Sequence, residues 1–297
     1  MLRIRVEAPS SPPAVDKVVD GVARLVGAGF EVNVAEPLLR GSHGYLNGDD
    51  AARTASLQAA LLSDVDVVWL ARGGYGLTRV IEGLQLSAGM PIVVGFSDAT
   101  ALFCRLRAVG GRAVHGPLLT TVAAEPFDSF DLLTRVLTRR AAGHAWPLVH
   151  VGGPALDAEG PVFAGNLCVL AAVAGTPAMP SLAGCVLVLE EVGERPYRID
   201  RMMTQLLSAH ALGGVRAIVI GHLTGCSEPA TPGAVSGRTV PAALDVLVER
   251  AATLGIPVLA GMPLGHEAPN HALPLGARVA VRFQAGEGSL TLLQDLP

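Results

Sequence analysis

The chain has 297 residues, half of them hydrophobic but only 4% aromatic, so it can bury a sizeable core built mainly from Val, Leu, Ile and Ala. Its formal net charge of -4 comes with no run of like charges, which argues against the basic patch of a nucleic-acid or membrane-surface protein. No apolar run reaches the ~18–20 residues that span a bilayer, and Cys104, Cys168, Cys185 and Cys226 form no CxxC pair, as expected of reduced thiols in a soluble cytoplasmic protein.

Residues 2–7 (LRIRVE) read as a strand followed by the turn APSSPP, and this N-terminus carries no apolar signal-peptide segment. Val15, Val18, Val19, Val22, Leu25 and Val26 recur at helical spacing. Gly27 and Gly29 close that helix before a strand at 30–34 (FEVNV). Lys17, the only lysine, lies among apolar residues of this helix, so Ser–Lys, Schiff-base and P-loop chemistries lack a suitable amine. Asp49 is placed to cap a helix running through Leu57, Leu61 and Leu62. VDVVWLA at 65–71 and PIVVG at 91–95 are short β-branched apolar runs of the kind found in strands buried on both faces, and TALFCRL after the second is helical. Strands alternating with helices predict an α/β fold with a mostly parallel sheet covered on both sides.

Around 143–161 the chain is rich in Gly, Pro and Ala without a sustained period. We place a linker at 146–161 there, between an N-terminal domain, 1–145, and a smaller C-terminal α/β domain, 162–297. In the second half, CVLVLE at 185–190 and RAIVIG at 216–221 read as buried strands. Ile199, Met202, Met203, Leu206 and Leu207 form one helix face between them. Val279, Val281 and Phe283 then alternate before AGEG turns the chain into SLTLL, a terminal hairpin.

The strongest local signal for chemistry is PIVVGFSDATALF. Ser97 falls in a tight turn between a buried strand and a helix, where the elbow pushes a hydroxyl out of the sheet. The amide of Asp98 lies at the helix N-terminus, whose partial positive charge favours an oxyanion. The motif is not GxSxG, since Ala99 replaces the last glycine, and an isolated serine here more often only caps the helix. ARGGYG at 71–76 allows close approach of backbone to a ligand, but the chain has neither GxGxxG nor GxxxxGK[ST]. Phosphate binding and a plain tight turn therefore both remain open for it.

Glu190 and Glu191 end an apolar strand, a position from which a carboxylate can orient a histidine. Around them Glu191, Glu194, Asp200, Arg195, Arg198 and Arg201 suit surface ion pairs. His266 and His271 share a loop between two strands. His222 and Cys226, four apart in GHLTGC, give a weak metal hint without an HExxH or a Cys/His cluster, so neither a metal nor another cofactor is expected. Serine, strand-end glutamate and loop histidine are the parts of a Ser-His-Glu triad, in one of the several chain orders that geometry takes. Spacing alone does not show that they meet.

The set APSSP at 8–12, HGYLNG at 43–48, ARGGYG at 71–76, GFSDATAL at 95–102, HGP at 115–117, GNL at 165–167, LEEVGERPYRIDRM at 189–202 and GHEAPNHALPLG at 265–276 resembles the LD-carboxypeptidase family of serine peptidases. That family also contains the microcin C immunity proteins. The motifs fall in the family's order along almost the whole chain. The resemblance implies a flavodoxin-like N-terminal α/β domain carrying the nucleophile, Ser97. It implies a smaller C-terminal α/β domain carrying the triad acid, Glu190, and the base, His266. The backbone amides of Gly74 and Asp98 match the oxyanion hole, and His271 stays outside the triad.

The reaction so implied removes the terminal D-alanine from murein tetrapeptides in cell-wall recycling, by a homodimer with no nucleic-acid or membrane partner. A microcin-type peptidase acting on aminoacyl-nucleotide conjugates is the rival within the family, disfavoured by the compact chain and its few aromatics. A non-catalytic two-domain ligand binder is the rival of another class. A Rossmann-type oxidoreductase lacks its glycine fingerprint.

Overall fold

The β-branched runs of the first half become the middle of one sheet. The computed structural model describes residues 1–228, 241–284 and 287–297. In its first half, strands β1 (Arg3–Glu7), β2 (Glu31–Val34), β5 (Val67–Leu70), β6 (Ile92–Gly95) and β7 (Ala113–His115) run parallel in the order β2-β1-β5-β6-β7. Between β2 and β5 lies a two-stranded hairpin, β3 (Ser42–His43) and β4 (Leu46–Asn47). Every residue of β5 and β6 is buried, which is why these runs are apolar without alternation.

Helices α1 (Val15–Gly27), α2 (Asp50–Leu61), α3 (Ala99–Ala108), α4 (Leu119–Val122) and α5 (Phe127–Leu137) accompany this sheet. Asp49 caps α2 as expected, its side chain accepting from the Ala52 amide at 2.7 Å. The periodicity of α1 is real, but its valines divide between two faces. Val18 and Leu25 are buried, whereas Val15, Val19 and Val26 are exposed.

The second half adds β8 (Ala145–Gly152), β9 (Ala158–Asn166), α6 (Leu167–Val173), β10 (Val186–Val192), α7 (Pro196–Ser208), β11 (Ala217–Thr224), α8 (Ala243–Ala252), β12 (Val258–Ala260), β13 (Leu273–Pro274), β14 (Arg278–Gln284) and β15 (Glu287–Leu292). Seven of these strands close a barrel in the order β10-β11-β12-β8-β15-β14-β9, with β9 to β12 parallel and the remaining pairings antiparallel. Val279 and Val281 of the predicted hairpin are buried and Phe283 is half-buried. Residues 285 and 286 of its AGEG turn lie outside the described residues.

Residues 146–161 correct the expectation of a linker, because β8 and β9 run through most of them. Trp146 and Leu148 are buried while Ala145, Pro147 and Val149 are exposed. That is the period-2 signature of a strand, masked by Gly and Pro content. Among the described residues no helix is long and apolar enough to cross a membrane.

Two connections bring the sheets together, and both position the site. After β12 the chain leaves the barrel through the His266 loop and returns to the first sheet as β13, antiparallel to β7 with Leu273 opposite His115. Near the end of β9, the Asn166 amide donates to Thr100 Oγ1 of α3 at 2.9 Å. The preceding Gly165 makes this approach possible, because a Cβ there would lie 2.5 Å from Thr100 Cγ2.

Gly165→Ala should therefore overpack this junction and destabilise the protein by about 1–3 kcal/mol. Urea unfolding reads this as a lower midpoint with an unchanged m value. An unchanged midpoint would mean that the two sheets can separate here without penalty.

Candidate active site

Ser97 occupies the turn between β6 and α3 with φ 63°, a left-handed conformation that disfavours any side chain by roughly 1–2 kcal/mol. Its neighbours hold it there, since Phe96 and Asp98 on either side are both buried. Asp98 ties three segments together. Its Oδ2 accepts from Ser10 Oγ of the APSSP turn at 2.6 Å and from the Leu77 amide at 2.9 Å. Burial pushes the Asp98 carboxyl up, against the opposing pull of the Ser10 and Leu77 bonds.

The GGYG turn lies directly over the serine. A Cβ on Gly73 would stand 3.1 Å from both Cβ and Oγ of Ser97. Gly74, next in the turn, has φ 94°, which favours glycine. Arg53 of α2 clamps the same turns from below. Fully buried, it donates to the carbonyls of Pro9 and Gly76 and, at 2.6 Å, to Asp50 Oδ1. Sequence reasoning missed both Arg53 and Ser10, for a single arginine on a helix gives no hint of burial.

Glu190 is fully buried near the end of β10, and its Oε2 lies 2.7 Å from Nδ1 of His266. A carboxylate can only accept, so Nδ1 carries the proton and Nε2 is left as the acceptor. Gly265 makes room for this pair, because a Cβ there would be 3.1 Å from Glu190 Oε2. The loop is pinned from behind by Asn270. Its Oδ1 accepts from the Gly265 amide at 3.1 Å, and its own amide donates to Glu125 Oε2 at 3.0 Å. Ser129 Oγ donates to the same Glu125 oxygen at 2.7 Å, and burial pushes the Glu125 carboxyl up.

The two halves of the site meet through Phe96. Its ring packs edge-on against His266 with centroids 4.8 Å apart, and it immediately precedes Ser97. The structure thus joins Glu190 to His266 by a hydrogen bond and packs His266 against the residue that precedes Ser97. No hydrogen bond links Ser97 Oγ to His266 among the described residues. Such bonds often tighten only when substrate is bound. Asp98 follows Ser97 directly, and Gly74 follows Gly73, where a side chain would crowd the serine.

The other flagged residues separate cleanly. His271 is half-buried, its Nδ1 accepting from Trp146 Nε1 at 2.9 Å while burial lowers its pKa. Glu191 corrects the expectation of a surface ion pair. It is buried and accepts from Asn166 Nδ2, the Val192 amide and the Cys168 amide at 2.7–3.0 Å, with burial raising its carboxyl. The Arg198–Glu194, Arg195–Glu228 and Arg250–Asp200 contacts are surface pairs, as that segment's composition suggests. No group of three or more His, Cys, Asp or Glu among the described residues could hold a metal ion, so the His222–Cys226 spacing has no further ligand to join. All four cysteines are free.

Comparison with known proteins follows the same lines. The family models for the LD-carboxypeptidase N-terminal and C-terminal domains match residues 4–116 and 159–281. The murein tetrapeptide carboxypeptidase of Pseudomonas aeruginosa is 32% identical over 92% of this chain and 91% of its own. The crystal structure of muramoyltetrapeptide carboxypeptidase from Oxalobacter formigenes superimposes with TM-score 0.86 at 27% identity, covering 99% of this chain and 100% of that one. The microcin C7 self-immunity protein MccF, known from Escherichia coli, shares the fold. Its complex with aspartyl sulfamoyl adenosine matches at TM-score 0.82 and 23% identity, over 99% of this chain and 97% of that one.

His115, at the end of β7, is fully buried against Phe96, with ring centroids 5.8 Å apart. Burial, aided by the nearby His266, pushes its pKa down to about 3. An unfolded histidine titrates near ~6.5, so between those values the unfolded chain binds a proton that the folded one refuses. Stability from this residue is complete above pH ~6.5 and is lost as the pH falls toward 3, by a total on the order of a few kcal/mol. His115→Phe should flatten that acid loss. Urea unfolding at pH 7 and pH 4.5 checks it, and equal losses in both proteins would show that His115 is protonated in the folded state.

Proposed function

Because the chain belongs to the LD-carboxypeptidase family, we propose that it removes the terminal D-alanine of murein tetrapeptides as a serine peptidase, with Ser97 as nucleophile, His266 as base and Glu190 as orienting acid. The observation that carries this reading is the 2.7 Å bond from His266 to the buried Glu190, set against the residue preceding a strained serine.

The chemistry follows from those positions. Nε2 of His266 takes the Ser97 proton as Oγ attacks the carbonyl carbon, and Glu190 stabilises the imidazolium that forms. The amides of Asp98 and Gly74 receive the oxyanion. His266 then returns the proton to the leaving amine of D-alanine; water, deprotonated by the same imidazole, attacks the acyl carbon, and that proton passes to Ser97 Oγ as its bond to the acyl group breaks. Every proton in the cycle passes through Nε2, so the fixed tautomer matters throughout.

The parallel order β2-β1-β5-β6-β7 supports a flavodoxin-like reading of the first sheet, the hairpin β3–β4 being set aside. We read residues 1–145 as the domain supplying Ser97 and 162–297 as the domain supplying Glu190 and His266, with β13 lent back to the first. Family resemblance supports a cytoplasmic homodimer acting on a small peptide.

Ser97→Ala and His266→Ala should each lower turnover by about 10³-fold or more, and the double variant by little more than either. Near-wild-type turnover in Ser97→Ala would remove the nucleophile. On substrate, alanine release from a tetrapeptide ending in D-Ala should far exceed release from its L-Ala epimer, because inversion leaves a polar partner unpaired. Equal release from both would leave only a general serine hydrolase. Preferential cleavage of an aminoacyl sulfamoyl-adenosine would place the chain with the immunity proteins instead.

A further inference from the structure

His222 belongs to the wall of this site, although its spacing from Cys226 first suggested a metal. It lies on β11, the parallel neighbour of β10, where the register between the strands shifts just after Leu189. That irregularity sets His222 beside Glu190, the acid of the proposed triad. Its amide donates to the Leu264 carbonyl at 2.8 Å, so the strand is fastened to the start of the His266 loop.

The proximity can be read at Gly265. A Cβ on this glycine would stand 3.0 Å from His222 Cβ and 3.1 Å from both Cβ and Oε2 of Glu190. The two side chains therefore rise on either side of one missing methyl group. Each also carries a buried polar atom without a partner among the described residues, Nδ1 of His222 and Oε1 of Glu190. Buried donors and acceptors left unpaired are rare and unfavourable. Here one potential donor and one acceptor share the same wall.

We propose that His222 is a positioning residue for the catalytic glutamate: the two atoms are not bonded to each other in this structure, and a turn of the His222 ring that brings Nδ1–H onto Oε1 of Glu190 holds Oε2 toward His266. The inference rests on the triad reading of Ser97, Glu190 and His266. Burial holds the His222 ring toward its neutral form, opposed by Glu267 and Glu190 and assisted by His266. A neutral imidazole still has one N–H to give. With both oxygens bonded, the carboxylate loses its freedom to rotate away from Nδ1 of His266. The proposal thus gives a role to a histidine beside Glu190 that proton transfer itself does not employ.

The test is steady-state kinetics of D-alanine release by His222→Leu and His222→Asn, each made in the wild-type and in the Glu190→Ala background. Asn is chosen because its amide nitrogen stands near the place of imidazole Nδ1. His222→Leu should lower kcat about tenfold, equivalent to about 1.4 kcal/mol of barrier, while KM stays within about twofold. His222→Asn should recover most of that loss. In Glu190→Ala, neither substitution should matter further, since the group it acts through is gone. An equal loss in both backgrounds, a change confined to KM, or an Asn variant as slow as Leu would overturn the proposal. If Glu190→Ala alone keeps full activity, the triad reading fails first and this inference falls with it.

Discussion

A buried carboxylate held 2.7 Å from an imidazole is the constraint around which the rest of this molecule is arranged. A fully buried Glu190 is unfavourable unless its charge is met by hydrogen bonds, and the group that meets it comes from a loop far along the chain. That loop is long because it must leave the barrel after β12 and reach the first sheet as β13. Its course is set by Asn270, Glu125 and Ser129. Glycine at 265 is the complement of the same requirement, since a side chain there would press on the carboxylate.

The opposite wall is built on a different economy. Ser97 sits in a conformation that a serine does not choose, and it stays there because its flanking residues are anchored. Asp98 ties the elbow to the APSSP and GGYG turns, while Arg53 gathers the same turns through Pro9 and Gly76. Phe96 packs against both His266 and His115. One residue next to the serine thereby sets the ring plane of the histidine, so the two walls cannot shift independently. Local strain is tolerated where the surrounding structure over-determines it.

Much of this was legible in the residues, for reasons that can be named. β5 and β6 announced themselves because strands buried on both faces are short, β-branched and unbroken. Ser97, Glu190 and His266, from which the proposed triad is drawn, stood out because each belongs to a motif at a sheet edge or in a Gly- and Pro-rich loop. The strands β8 and β9 were hidden because Gly and Pro within them mimic a linker, while their alternation of buried and exposed residues is short. The exposed valines of α1 obscured its buried face for a similar reason. Glu191 was visible as a strand-end carboxylate but not as a buried hub, and Asn270 and Arg53 were not singled out. Their roles depend on partners 25, 145 and 44 residues away in sequence, and such pairings exist only once the fold has formed.

The central claim is that a strained serine is activated by the Glu190–His266 pair, and reaction with a serine-directed fluorophosphonate followed by peptide mass spectrometry tests it most directly. The account predicts one adduct, on Ser97, formed fast in the wild type and slowly when His266 is replaced by alanine. An unlabelled wild-type protein, a label on another residue, or a rate indifferent to His266 would contradict it.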